Sequence, residues 1–232
     1  MSKNPFRYFK TSPEIIRLAV MMYIRFSLSL RNVGDLLYER GVDITHETGR
    51  FWWNRFGPLF AKSIRKRRVE NRSYSNWTWH LDEVFVKING ELHYLWRAVD
   101  HEGEVLRAFV TKRRDRKAAL KFRHKAMKRY GAPDQVVTDK LPSYKAAFRE
   151  LGIAGRQVTG RWLNNRAETS HQPFRRREKI MNRFMSMRSL QKFAAIQSSV
   201  YNHFNLERHV YRRSDFKQNR AAALAKSRQL AA

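Results

Sequence analysis

Three carboxylates stand out by their surroundings. Glu168 lies inside Arg161 to Arg177, RWLNNRAETSHQPFRRR, among seven Arg or Asn side chains. Asp82 falls within, and Asp139 directly after, a run that reads as a buried strand. A lone acid in a basic run has a plain explanation, one ion pair on a solvated face. Three acids brought together offer hard oxygen ligands for divalent ions, and the positive charge around them suits a phosphate backbone. The chemistry of such a set is in-line displacement at phosphorus, with Asp82, Asp139 and Glu168 holding two Mg2+ or Mn2+ ions. One ion activates a water or 3′-hydroxyl, and the other stabilises the leaving oxygen. Without metal the three acids would repel, so the site should depend on it.

Composition narrows the partners. The 232 residues carry 48 Lys+Arg against 20 Asp+Glu, a formal charge of +28. That excess exceeds what solubility needs and points to a polyanion, nucleic acid before a membrane surface. At 42% hydrophobic and 13% aromatic residues, a packed core is expected rather than disorder. The most apolar stretch, Ile15 to Ile24, contains Arg17 and is too short to span a bilayer. Met1 to Lys10 has no apolar signal region, and there are no cysteines. A soluble intracellular protein with no membrane role is the expectation.

The elements that must position these acids begin with helices. Ser12-Pro13-Glu14 is a helix start, with a Ser cap and Pro at the first helical position. Ser29 caps a second helix, Arg31 to Arg40, ended by Gly41. Thr45 caps a third, running to about Phe56 and stopped by Gly57-Pro58. Two helices joined by a short glycine-bearing turn after a supporting helix read as a helix-turn-helix DNA-binding domain, residues 1–62. Its third helix would present His46, Glu47, Arg50, Asn54 and Arg55 to the major groove. A plain three-helix bundle is the alternative. Gly49 inside that helix costs about 1 kcal/mol relative to Ala. Trp52, Trp53 and Phe56 read as bundle core. Residues 63–75 read as a basic linker or an extension of the helix.

From Trp77 the pattern becomes strand-like. Trp77 to Lys87, Glu91 to Val99 and Glu104 to Thr111 make a meander whose first turn is Asn89-Gly90. A helix follows over Arg116 to Tyr130, then a short strand, Gln135 to Thr138, and a helix from Ser143 to Leu151. The order β-β-β-α-β-α, then a helix carrying Glu168, is that of an RNase H-like, integrase-like mixed α/β sheet over residues 76–207. Its first and fourth strands lie side by side, which makes Asp82 and Asp139 neighbours. Ser189 to Asn205 reads as a helix packed on the sheet. The tail, 208–232, reads as basic, either frayed or adding DNA affinity.

The segments HLDEVFVKINGELHYLWRAVD, VVTDKLPSY, RWLNNRAETSHQPFRRRE and LQKFAAIQSSVYNHFN resemble the DDE transposases of bacterial insertion-sequence family six. The resemblance spans the helix-turn-helix to about Glu207. It implies Asp82, Asp139 and Glu168 as the catalytic acids and Arg175 as the basic residue two turns past the Glu. It also implies double-stranded DNA as partner, both terminal inverted repeats and target. Replicative, cointegrate-type transposition in a bacterial, nucleoid-associated setting follows, and pairing two ends implies at least a homodimer. The 28 residues between Asp139 and Glu168 are fewer than in many DDE enzymes. Spacing alone leaves Glu178 open; the Asn-Asn-x-x-Glu context selects Glu168. Pro173, five residues later, should kink or restart the helix.

The remaining candidates have plainer readings. Glu83 points to the opposite strand face and is no ligand. Asp100 and Asp134 are turn residues by type. Thr138 and Lys140 flank the second acid, within reach of phosphate or of solvent. His80 and His171 read as packed histidines near the site. A zinc site from His171, His203 and His209 lacks ligand spacing. Arg175, Arg176 and Arg177 are the best backbone-contacting set. A DNA-binding protein without chemistry, or a basic RNA-binding protein, would explain the charge; only the enzyme explains the acids.

Overall fold

The computed structural model describes residues 4–70, 78–139, 142–150, 152, 154–160, 163–181, 184–205 and 212–230. Trp77, Lys140 and His209 lie outside them. The chain divides into two units, one of Met1–Arg72 with Ser199–Ala232, the other Ser73–Ser198.

In the first unit, α1 (Pro13–Arg25) starts where Ser12 accepts from the Ile15 N–H, and α2 (Leu30–Tyr38) starts at a Ser29/Asn32 capping box. Thr45 Oγ1 accepts from the Thr48 N–H at 3.2 Å and opens α3 (His46–Glu70). Gly34 lets α2 lie against the loop before α3, since a Cβ there would come within 3.1 Å of the Ile44 carbonyl oxygen. Gly57-Pro58 does not stop α3. The stripe Trp52, Trp53, Phe56 continues as Phe60, Ala61 and Ile64, all buried. Burial of that continued stripe outweighs the one N–H that Pro58 lacks. Residues 63–70 are therefore helix.

The tail is also helix. In α8 (Arg213–Arg228) Ala223 is buried, and its carbonyl lies 2.8 Å from His203 Nε2. Arg17 Nε donates to the Leu230 carbonyl at 2.7 Å. Periodicity does not reveal α8, because Ala223 is its only buried residue.

The second unit is a five-stranded sheet of order β3-β2-β1-β4-β5. Strands β1 (Thr78–Ile88), β2 (Glu91–Asp100) and β3 (Val105–Thr111) form the antiparallel meander. Asn89 and Gly90 both take positive φ in the first turn, at 51° and 84°. The chain then runs through α4 (Arg116–Tyr130) into β4 (Gln135–Thr138), which pairs parallel to β1. It continues through α5 (Pro142–Glu150) and a 3-10 turn, Ala154–Arg156, into β5 (Gln157–Thr159), parallel to β4. Two helices follow, α6 (Asn165–Ile180) and α7 (Met187–Phe204).

One face of the sheet packs Trp79, Leu81 and Trp96 against Phe122 of α4 and Tyr144 and Phe148 of α5. Elsewhere in the unit Phe174, Phe184 and Phe193 form a ring cluster joining α6 and α7. The open edge of β3 is covered without another strand. Gln191 of α7 donates to the Ala108 carbonyl and accepts from the Val110 N–H, at 3.0 and 2.9 Å.

Candidate active site at the ends of two parallel strands

The last β1–β4 pair is Leu81 with Thr138, so the next residues, Asp82 and Asp139, stand one step past the end of the parallel pairing. Here β4 stops while β1 continues, and the edge of the sheet opens. This crevice beyond the carboxyl end of a strand is where ligands of open α/β sheets gather. One carboxylate oxygen from each of Asp82, Glu83 and Asp139 can be chosen so that the three lie within 4.8 Å of one another.

Glu83 is the correction to the sequence reading of its position. Alternation does send it to the opposite face, yet its carboxylate reaches the cluster from that side. Both of its oxygens are engaged, one by Arg114 and the other by the Tyr144 hydroxyl at 3.0 Å. The same Arg114 nitrogen lies 3.5 Å from Asp139 Oδ2. No periodicity links Arg114, in the loop before α4, to residues 82 and 139; only the fold does.

Three groups flank Asp82. Its Oδ1 accepts from the Glu83 N–H at 2.9 Å. Its cross-strand partner, Arg97, is fully buried. From α6, His171 Nδ1 lies 3.6 Å from Asp82 Oδ2. Burial pushes the Asp82 carboxyl up to about 7, and the charges of Glu83, Asp139 and Glu168 add to this. Burial drives His171 down to about 3, helped by Arg97 and Arg175. The His171 ring is thus neutral near pH 7 and touches Asp82 as a dipole. Glu83 is raised as well, because burial outweighs the pull of Arg114.

Glu168 sits exposed in the first turn of α6, outside the tight group of three. Its charge is felt at Asp82. What brings it there is Asn164, the buried N-cap position of α6, whose Nδ2 donates to the Leu81 carbonyl at 3.0 Å, one residue before Asp82. That bond is the physical content of the Asn-Asn-x-x-Glu context. Glu178 is instead bound to Arg175 at 2.6 Å. Pro173 neither breaks nor restarts α6, which runs through it with Phe174 and Arg177 buried beyond.

The other predicted residues separate by exposure. Arg50, Asn54 and Arg55 are exposed on α3, and His46 is half-buried. Glu47 bridges His46 and Arg50, at 3.2 and 3.0 Å. On α6, Arg175 and Arg176 are exposed, but Arg177 is 2% exposed with its guanidinium over the Phe193 ring. Arg177 is therefore a packing residue and not a phosphate contact. Thr138 is also turned inward, donating to the Asp139 carbonyl and accepting from Gln157. His80 is buried, in keeping with a packed histidine. Asp100 Oδ1 accepts the Glu102 and Glu104 N–H groups and so shapes its turn.

The donors around the crevice are carboxylate oxygens with a raised Asp82, a set that fits a hard divalent cation. No helix among the described residues is long and apolar enough to cross a membrane.

Comparison with known proteins follows the same lines. A family model described as a DDE domain matches residues 76–207. The transposase for insertion sequence-like element IS431mec of Staphylococcus aureus is 34% identical over 173 residues, 72% of this chain and 75% of that protein. The transposase for insertion sequence element IS257 in transposon Tn4003, also from Staphylococcus aureus, matches with the same identity and extent. Among solved structures, the HTLV-2 integrase catalytic core domain in complex with magnesium aligns with a TM-score of 0.43 at 17% identity. That alignment covers 60% of this chain and 90% of that one.

Proposed function

This chain belongs to the DDE-domain transposase family, and from that premise we propose that it is the transposase of an element of insertion-sequence family six. Its activity is polynucleotidyl transfer: cleavage of DNA at the element's ends and joining of the freed 3′-hydroxyl to target DNA. The observation that carries this reading is the placement of Asp82 and Asp139 one step past paired strand ends, with Glu168 anchored nearby through Asn164.

In this reading Asp82, Asp139 and Glu168 hold two Mg2+ or Mn2+ ions. When bound, such ions activate the attacking oxygen and neutralise charge on the leaving oxygen. The chain's own residues do the rest. Leu81 and Thr138 fix the spacing of the two aspartates through the β1–β4 pairing. Asn164 fixes the start of α6, and the neutral His171 steadies Asp82 without competing for its charge. The α2–turn–α3 segment acts as a helix-turn-helix that reads the terminal inverted repeats through His46, Arg50, Asn54 and Arg55. Arg175 and Arg176, with Lys140, hold the DNA backbone near the acids. Two copies bring two ends together, and the product is a cointegrate.

The test is a labelled duplex carrying the parent element's terminal repeats, incubated with and without Mg2+ or Mn2+. Wild type should nick and join in a metal-dependent way, and Asp139→Asn and Glu168→Gln should not. Glu178→Gln should remain active. Specific binding by wild type without nicking under either metal would overturn the enzymatic reading.

A further inference from the structure

Arg114 enters the acid cluster from a loop that carries none of the three acids. The loop is fixed on both sides of it. Before it, Thr111 Oγ1 donates to the Arg113 carbonyl and accepts from Trp96 Nε1, both at 2.7 Å. After it, Asp115 caps α4 by accepting from the Ala118 N–H at 2.8 Å. The guanidinium lies over the Phe85 ring, 5.3 Å from its centroid. One of its nitrogens serves two carboxylates, Glu83 and Asp139. Glu83 is held in turn by the fully buried Tyr144, which packs edge-on against Trp96 at 5.6 Å.

This chain of contacts spends both Glu83 oxygens on Arg114 and Tyr144. Glu83 is thereby a holder of Arg114, with each of its oxygens already shared with a donor. Arg114 offers a positive charge at Asp139, where three acids within 4.8 Å would otherwise repel. An arginine is always protonated, so this charge persists at every working pH.

We propose that Arg114 is the built-in cation of this site: it offsets part of the charge of the acid cluster in the absence of metal and competes with an incoming divalent ion for Asp139. Arg114 is then a positioning residue that sets how much metal the enzyme needs. The inference rests on the reading of Asp82 and Asp139 as metal ligands. It makes a prediction of unusual sign, because removing a residue beside the site should strengthen metal binding.

The experiment measures Mn2+ binding directly, by paramagnetic resonance of the free ion, on the full chain without DNA. Wild type should bind and Asp139→Asn should not. Arg114→Gln should bind at least about tenfold tighter, since removing one unit charge a few ångström from a divalent ion has an effect of that order even with the screening of bulk water. Arg114→Gln leaves Glu83 as a buried charge without its partner and could unfold the chain. The comparison is therefore repeated in a Glu83→Gln background, where the buried pair becomes neutral on both sides. There too, adding Arg114→Gln should tighten binding relative to Glu83→Gln alone. Folded Arg114→Gln that binds Mn2+ no tighter than wild type, or a double variant no tighter than Glu83→Gln, overturns the proposal and leaves the metal site standing. Wild type that binds no Mn2+, or binds it equally after Asp139→Asn, overturns the metal site itself and this inference with it.

Discussion

Helices α3 and α6 are both long, both basic and both interrupted in sequence by a proline, yet they use their arginines in opposite ways. On α3 the aromatic stripe from Trp52 to Phe60 takes one face, and Arg50, Asn54 and Arg55 are left on the other. On α6 the run Arg175-Arg176-Arg177 wraps around the helix. Arg175 closes on Glu178, Arg176 faces solvent and Arg177 turns into the core. Three consecutive residues cannot share one face of a helix with 3.6 residues per turn. A charge run therefore promises a cationic segment but never a cationic surface; the buried stripe decides which of its members reach a partner.

The sharpest way to break this contrast is Arg177→Ala. It should lower unfolding free energy by about 3 kcal/mol, through lost packing of a buried side chain, with little change in DNA affinity once the protein is folded. Urea unfolding and a binding titration on the same preparation check both halves. Full stability with weakened DNA binding would return Arg177 to the phosphate-contacting set.

The next effect concerns pH. His171 has its folded value depressed from 6.5 to about 3. The unfolded chain therefore binds the proton first, and stability is lost as pH falls from about 6.5 toward 3. At pH 5 the loss is about 2 kcal/mol. His171→Gln, which cannot take up that proton, should flatten the decline between pH 7 and 4 in a metal-free melting series. Parallel curves for the two proteins would mean that His171 titrates as it does in the unfolded chain.

Smaller effects separate the exposed residues. Arg50→Ala should cost about 1–3 kcal/mol in binding to the terminal repeat and much less on unrelated duplex. Arg176→Ala should cost under about 1 kcal/mol, uniformly across sequences, and reduce the salt dependence of binding by about one phosphate contact. Competition binding at two salt concentrations reads both. If Arg50→Ala also weakens binding uniformly, α3 is a second backbone-contacting helix and the two helices differ in burial alone.

Much of the sheet was legible because its signals are local. Asn89-Gly90 marks its turn, β4 spans Gln135–Thr138 around the apolar pair Val136-Val137, and Ser12, Ser29 and Thr45 cap their helices. The adjacency of Asp82 and Asp139 followed from strand order, before any side chain was placed. What sequence could not show is long-range or weakly patterned. Strand β5 is three residues, Gln157-Val158-Thr159, none of them buried, and has no alternation to detect. The onward course of α3 past Pro58 depends on tertiary burial. Arg114 meets Asp139 and Glu83 only through the fold, and Asn164 meets Leu81 across 83 positions of sequence.

Asn164 also changes how the interval between the second and third acids should be regarded. Asp139 is fixed by the β1–β4 pairing, and Glu168 by the bond from Asn164 to β1. Between these fixed points the chain makes a detour through α5, a turn and β5. The 28 residues of that detour measure its route around the sheet edge and say nothing about the distance between the acids. Related chains can therefore lengthen or shorten the detour freely, and an engineer could seat a flexible insert between β5 and Asn164 while both anchors stay in place.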